Sequence, residues 1–149
     1  MSYRNLLLAF LTFFVTSVAV SAADWQTDLV KALEKAKAEN KYVLLDFTGS
    51  DWCGPCIEFN NQALSRPEFL TYADKHLLLV EVDFPKRKKQ SVELVKQNER
   101  LYKEYGIDEK GYPTIVLLDP AGKTKAEFSG YSGENAGDVI AWIEEKTKK

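Results

Sequence analysis

Trp52-Cys53-Gly54-Pro55-Cys56 holds the only two cysteines of the chain, three positions apart, behind the apolar run Tyr42-Val43-Leu44-Leu45-Asp46-Phe47. Two thiols at that spacing can close a disulfide reversibly. The apolar run reads as a buried strand, and Ile57-Glu58-Phe59-Asn60-Asn61-Gln62-Ala63-Leu64 continues after the motif as a helix. The pair therefore sits where a strand hands over to a helix. Unpaired amides and the macrodipole at a helix start stabilise negative charge, and the reactive form of cysteine is the thiolate. Cys53 is accordingly expected to be the acidified thiol. A fall in its pKa from about 8.5 to about 7 would raise the thiolate fraction at neutrality from roughly 3 % to about half, for about 2 kcal/mol. Cys56, one turn later on the same face, is expected nearer the core, where it would resolve a mixed disulfide formed on Cys53. Pro55 fits the first turn, whose amides lack helical partners anyway.

Trp-Cys-Gly-Pro-Cys after a strand resembles the active-site motif of the thioredoxin family. Gly111-Tyr112-Pro113-Thr114, leading into Ile115-Val116-Leu117-Leu118, resembles the loop where that family carries a cis-proline facing the active cysteines. The resemblance implies an α/β thioredoxin fold: a central mixed β-sheet with helices on both faces. It implies a cis Pro113, with the backbone beside it free to pair with an extended substrate strand. It further implies a thiol-disulfide oxidoreductase in which Cys53 attacks a protein disulfide, Cys56 releases it, and Trp52, Gly54, Pro55, Tyr112 and Pro113 contact the substrate. Asp46 resembles the buried carboxylate that the family places beneath the cysteines, where desolvation would raise its pKa and let it take a proton from Cys56. The competing reading is a strand-end aspartate bonded to its own turn. Two features depart from the family pattern. Thr48-Gly49-Ser50-Asp51 separates Phe47 from Trp52 by one residue more than in thioredoxin. Aligning Asp83 with the end of the following strand also puts Leu79 where thioredoxin has a lysine.

Gly-Tyr-Pro-Thr is similar to the loop of protein disulfide isomerase domains, whereas Gly54-Pro55 between the cysteines is similar to a reducing thioredoxin. The dipeptide borders both sulfurs and bears most directly on thiolate stability, so a reductant is expected. Alternatives are an isomerase or oxidase of the same fold, or a copper(I)-binding metallochaperone using the two thiols as soft ligands. Trp52 would shield the disulfide, or simply pack at a loop edge. Asp51 would oppose a Cys53 thiolate or cap the helix. His76, the only histidine, reads as a helix-end residue, since two cysteines and one histidine fall short of a four-ligand zinc set. No metal or other cofactor is expected.

The first 22 residues are of another kind. Arg4 supplies a positive start, Leu6 to Val20 is uncharged and apolar, and Val20-Ser21-Ala22 offers small residues to a signal peptidase. The reading is an export signal over 1–22 and a thioredoxin-like domain over 23–149. An uncleaved anchor is the alternative, but this stretch falls short of the roughly 20 apolar residues that span a bilayer. The place expected is the periplasm in a Gram-negative organism, and outside the cell otherwise. A membrane electron donor would then be needed to reset the pair.

Without the leader, 127 of the 149 residues remain, enough for one domain and one sizeable core. Removing Arg4 from the 20 basic residues leaves 19 against 22 acidic, which gives no reason to invoke nucleic acid or an anionic membrane. A monomer is expected. Small exported scaffolds that rely on disulfides use several, so this pair is read as catalytic, with the 45 % hydrophobic content building the core.

Farther along, Trp25, Leu29, Leu33 and Ala36 recur at helical spacing after Asp24, a possible cap, and Asn40 ends the run. Ser65-Arg66-Pro67-Glu68 has capping-box spacing and opens a short helix through Asp74. Leu77 to Asp83 reads as a strand. Ser91 starts a helix bearing Leu94, Leu101 and Tyr105, which Gly106 stops. Strand Thr114 to Leu118, turn Asp119-Pro120-Ala121-Gly122, strand Lys123 to Phe128 and a helix from about Glu134 bearing Val139, Ile140 and Ile143 complete the chain. Lys86-Arg87-Lys88-Lys89 reads as a solvated loop, longer than the simplest thioredoxins have.

Overall fold

The structure, a computed structural model, describes residues 22–148, so the expected export signal, apart from Ala22, lies outside the described residues. In chain order they form β1 (Trp25–Gln26), α1 (Leu29–Glu39), β2 (Tyr42–Thr48), α2 (Gly54–Phe59), a π-helical turn (Asn60–Leu64) and α3 (Pro67–His76). There follow β3 (Leu77–Asp83), α4 (Val92–Glu104), α5 (Ile107–Lys110), β4 (Thr114–Leu118), β5 (Thr124–Ser129) and α6 (Ala136–Thr147). The strands make one mixed sheet in the order β1-β3-β2-β4-β5. β1 and β2 run parallel to β3, whereas β4 is antiparallel to both β2 and β5.

Alternation along each strand decides which side chains meet which helices. Val43, Leu45 and Phe47 of β2, with Leu78, Val80 and Val82 of β3, face Leu29, Ala32 and Ala36 of α1 and Leu101 of α4. Leu44 of β2 and Leu77 and Leu79 of β3 face the opposite way, onto Phe59, Ala63, Leu64, Phe69 and the α6 residues Val139 and Ile143. Helices thus cover both faces, and β2, central and buried from Val43 onward, is apolar almost throughout because neither side meets water. Its one charged residue, Asp46, stands out for that reason.

The strands at 77–83 and 114–118 and the turn at 119–122 lie where the sequence puts them. Elsewhere tertiary contacts override local signals. Trp25 is not in a helix: it pairs with Leu79 along the edge of β3, and Asp28 instead of Asp24 caps α1, its Oδ1 accepting the Lys31 N–H at 3.1 Å. Asn40 does end α1, in the left-handed region at φ 53°, which a short polar side chain tolerates. The helix after the motif widens into the π-turn at Asn60. There Ser65 Oγ donates to Asn60 O at 2.8 Å, so the Ser65–Glu68 capping box does not form and Arg66 holds the cap position with extended backbone. Gly106 stops α4 but, at φ 62°, also starts the one-turn α5. Asn135 caps α6 with Asp138 in a reciprocal capping box.

Candidate active site

Cys53 and Cys56 are joined as a disulfide. Gly49 O accepts the N–H groups of both Trp52 (3.1 Å) and Cys53 (2.8 Å), so the additional residue between Phe47 and Trp52 is taken up in a turn that delivers Cys53 to the helix start. Cys53 is itself the N-cap of α2: its backbone is extended, and its Sγ accepts the Cys56 N–H at 3.3 Å. A backbone dipole therefore points at the sulfur where anionic charge would develop. Pro55 lies in the first turn, exposed together with Gly54, while the two sulfur-bearing residues are buried, Cys56 the deeper at 3 % against 6 %.

Trp52 caps this turn. Its indole presses on Gly49 so closely that a Cβ there would come within 2.7 Å of the ring nitrogen, which makes glycine obligatory for the packing. Indole Nε1 donates to Phe84 O at 2.7 Å, and the ring remains 38 % exposed. Tyr112 meets it edge-on at 5.6 Å and also packs against Phe84 and Tyr102, so Trp52 packs at the loop edge while part of it stays exposed. Burial, then the neighbouring Tyr102 and Asp83, push the Tyr112 phenol up to about 12, so it stays neutral. The Tyr112–Pro113 bond is cis, as the resemblance implies, and Pro113 is buried.

Asp46 is buried on the sheet face that packs against Phe59 and Ala63, the residues that follow Cys56. Its Oδ1 has no hydrogen-bond partner, which removes the reading of a strand-end aspartate satisfied by its own turn. Burial first, and then the charges of Glu81 and Asp83, raise its pKa to about 8. The register pairs Asp46 with Glu81, while Leu79 sits opposite Leu44. The residue abreast of Asp46 is therefore Glu81, with Leu79 two positions earlier on the same strand. Asp83 is held by Ser50, through its N–H at 2.9 Å and its Oγ at 2.6 Å.

Asp51 does not cap α2. Its carboxylate accepts the backbone N–H groups of Lys86, Arg87 and Lys88, which holds its pKa below the usual carboxylate range. His76 closes α3, its ring 4.5 Å from that of Tyr72. Glu81, Gly49, Ser50 and Phe84 were not singled out from sequence. Glu81 carried a usable signal, a charged residue inside a strand that is apolar up to its final Asp83, whereas Ser50 and Phe84 act through contacts more than 30 positions away and Gly49 by leaving room for the Trp52 indole.

The protein-family comparison matches residues 24–120 to a family described as thioredoxin-like. A disulfide bond reductase, DsbH, of Chlamydia pneumoniae is 37 % identical over 122 residues, covering 82 % of this chain and 72 % of the relative. A solved structure of a DsbH oxidoreductase superposes with a TM-score of 0.77 at 32 % identity, covering 97 % of this chain and 94 % of that one. The oxidised C-terminal domain of DsbD from Neisseria meningitidis follows at TM-score 0.58 and 25 % identity, covering 83 % and 99 %. With its paired cysteines at a helix start beside a cis-proline loop, the chain belongs to the thioredoxin-like family and is a thiol-disulfide oxidoreductase.

Proposed function

We propose that the protein is an exported reductant of protein disulfides. In the reduced form the Cys53 thiolate attacks one sulfur of a substrate disulfide, forming a mixed disulfide and expelling the other substrate sulfur as a thiolate, which takes up a proton. Cys56, deprotonated, then attacks Cys53 Sγ, releasing the second substrate thiolate and closing the Cys53–Cys56 bond. The substrate gains two electrons and the protein loses two. Asp46 accepts the Cys56 proton through its ionised fraction, which grows as pH rises toward about 8: it is the one carboxylate on the inward face of β2, without a competing partner on Oδ1. Trp52, Gly54, Pro55 and the Tyr112–Pro113 segment border the place where the substrate disulfide would lie.

The observation that carries this reading is the Cys56 N–H directed at Cys53 Sγ, because it favours the anion of the attacking sulfur. The reducing direction is supported by Gly54-Pro55 and by the likeness to a protein named a disulfide bond reductase. Each turnover leaves the pair oxidised, and in an oxidising compartment a membrane electron donor must restore it. Export rests on Arg4, the apolar stretch Leu6 to Val20 and the small residues before Ala23. Among the described residues no helix is long and apolar enough to cross a membrane.

The test is an alkylation titration of the reduced protein joined to its reduction potential against glutathione. A thiol reacting well below pH 8.5 and a potential more reducing than glutathione are expected. Alkylation near pH 8.5 or a strongly oxidising potential would overturn the reductant. Trapping with Cys56→Ser should accumulate mixed disulfides on Cys53 and so identify the substrates. For Asp46, unchanged reduction rates near neutrality in Asp46→Asn would reject the proton-transfer role.

A further inference from the structure

The Lys86-Arg87-Lys88-Lys89 run is exposed, as a solvated loop should be, but it is not loose. Asp51, two residues before Cys53, gathers three successive amides of the loop at 2.9, 2.7 and 3.1 Å. Arg87 Nη2 donates to Asp51 O, Lys88 Nζ to Ser50 Oγ at 3.3 Å, and Lys86 Nζ stands 4.1 Å from the centre of the Trp52 ring. At the far end Gln90 Nε2 donates to Asp83 O at 3.1 Å. The loop is thus fastened to the turn that carries the disulfide.

Fixing four like charges side by side is unfavourable unless anions meet them. Here they are answered only in part: none of the close ion pairs among the described residues includes Lys86, Arg87, Lys88 or Lys89, although Asp51 feels the charge of Arg87 and Glu81 that of Lys88. Asp51 sits within the loop on its amides and Asp83 is held by Ser50, so these carboxylates offset part of the positive charge without forming a close ion pair with any of the four cations. In a chain of net charge −2, a cationic cluster with no close ion-pair partner has been placed beside the turn that carries the reactive sulfurs.

We propose that this loop is a docking rim for acidic polypeptide segments, so that the protein prefers disulfides flanked by aspartate and glutamate. The inference rests on the reductant reading and adds substrate class to it. A polypeptide is favoured over a bilayer because the cations adjoin the turn that carries the disulfide, where the bound group must itself bring a disulfide. The rim acts on encounter, which makes its effect sensitive to salt.

Three disulfide-bonded peptides identical except for acidic, neutral or basic flanks test this with the reduced protein. The acidic peptide should be reduced about tenfold faster than the basic one at low ionic strength, with the ratio falling toward one in high salt. In Lys86→Glu/Lys89→Glu the acidic-to-neutral ratio should fall below one; if that variant does not fold, the salt dependence of the unaltered protein decides. Binding of labelled serine-substituted peptides to the oxidised protein separates the two readings. Turnover of all three peptides at equal rates overturns the rim and keeps the reductant, whereas preferential binding of the acidic peptide without turnover keeps the rim and overturns the reductant. Sedimentation with phosphatidylglycerol vesicles that the charge reversal abolishes, without peptide preference, overturns the rim in favour of a membrane.

Discussion

Asp46 on β2 stands directly across the parallel register from Glu81 on β3, with both side chains on the sheet face that packs against the helix carrying Cys56. Two carboxylates on adjacent strands cannot both ionise cheaply, and the more deeply buried one keeps its proton.

The first expectation concerns stability. Folding raises the Asp46 pKa to about 8, so between the ordinary aspartate range and about 8 the native state holds a proton that the unfolded chain has lost. Stability must therefore fall as pH rises through that window, by about 1.4 kcal/mol per unit. Asp46→Asn removes the effect: it should be more stable than the parent at pH 7, with the gain shrinking at each unit toward pH 4. Urea midpoints of the oxidised proteins at several pH values check this, and a pH-independent gain would contradict it.

Glu81 supplies part of the upward push on Asp46, second to burial. Glu81→Gln should therefore lower the Asp46 pKa without abolishing its elevation. Carbon-13 titration of the Asp46 carboxyl reads this directly. A titration that stays in place would mean that burial and Asp83 set the value without Glu81.

Gly49 supports the indole of Trp52 where no Cβ fits. In Gly49→Ala the ring must lift, its bond to Phe84 O is lost, and about 2 kcal/mol of stability should go with it. The emission of Trp52, isolated by difference against Trp52→Phe, should shift to the red. Unchanged emission and melting would show that the turn yields instead.

Asn135 serves α6 alone. Asn135→Ala removes a side-chain acceptor for the Gly137 and Asp138 amides and should cost about 1 kcal/mol. The rate of disulfide reduction should stay at the parent value, which a side-by-side melting and turnover assay would establish.

Much of this was legible in the residues. Leu77–Asp83 and Thr114–Leu118 are short apolar runs between breakers, and central strands leave that mark because both faces are buried. The cysteine pair and the buried Asp46 followed from the motif and the strand before it, and the cis-proline from the resemblance carried by Gly111-Tyr112-Pro113-Thr114. What escaped depends on register or on distant contact. Trp25 lies four residues before Leu29, so its spacing is helical, and only pairing with Leu79 makes it a strand. Glu81 went unremarked because counting back from a strand end does not fix which residues stand abreast. Asp51 offered two local roles and took a third, with amides 35 to 37 positions away.

The bond between Cys53 and Cys56 closes a ring spanning three positions, which trims the freedom of the unfolded chain by only about 2 kcal/mol. The architecture rests on Leu44, Leu45, Phe47, Phe59 and their neighbours, wholly out of water on the two sides of the sheet. Electrons can thus come and go at one corner of the molecule while the scaffold stays in register, so repeated oxidation and reduction need not pass through unfolding.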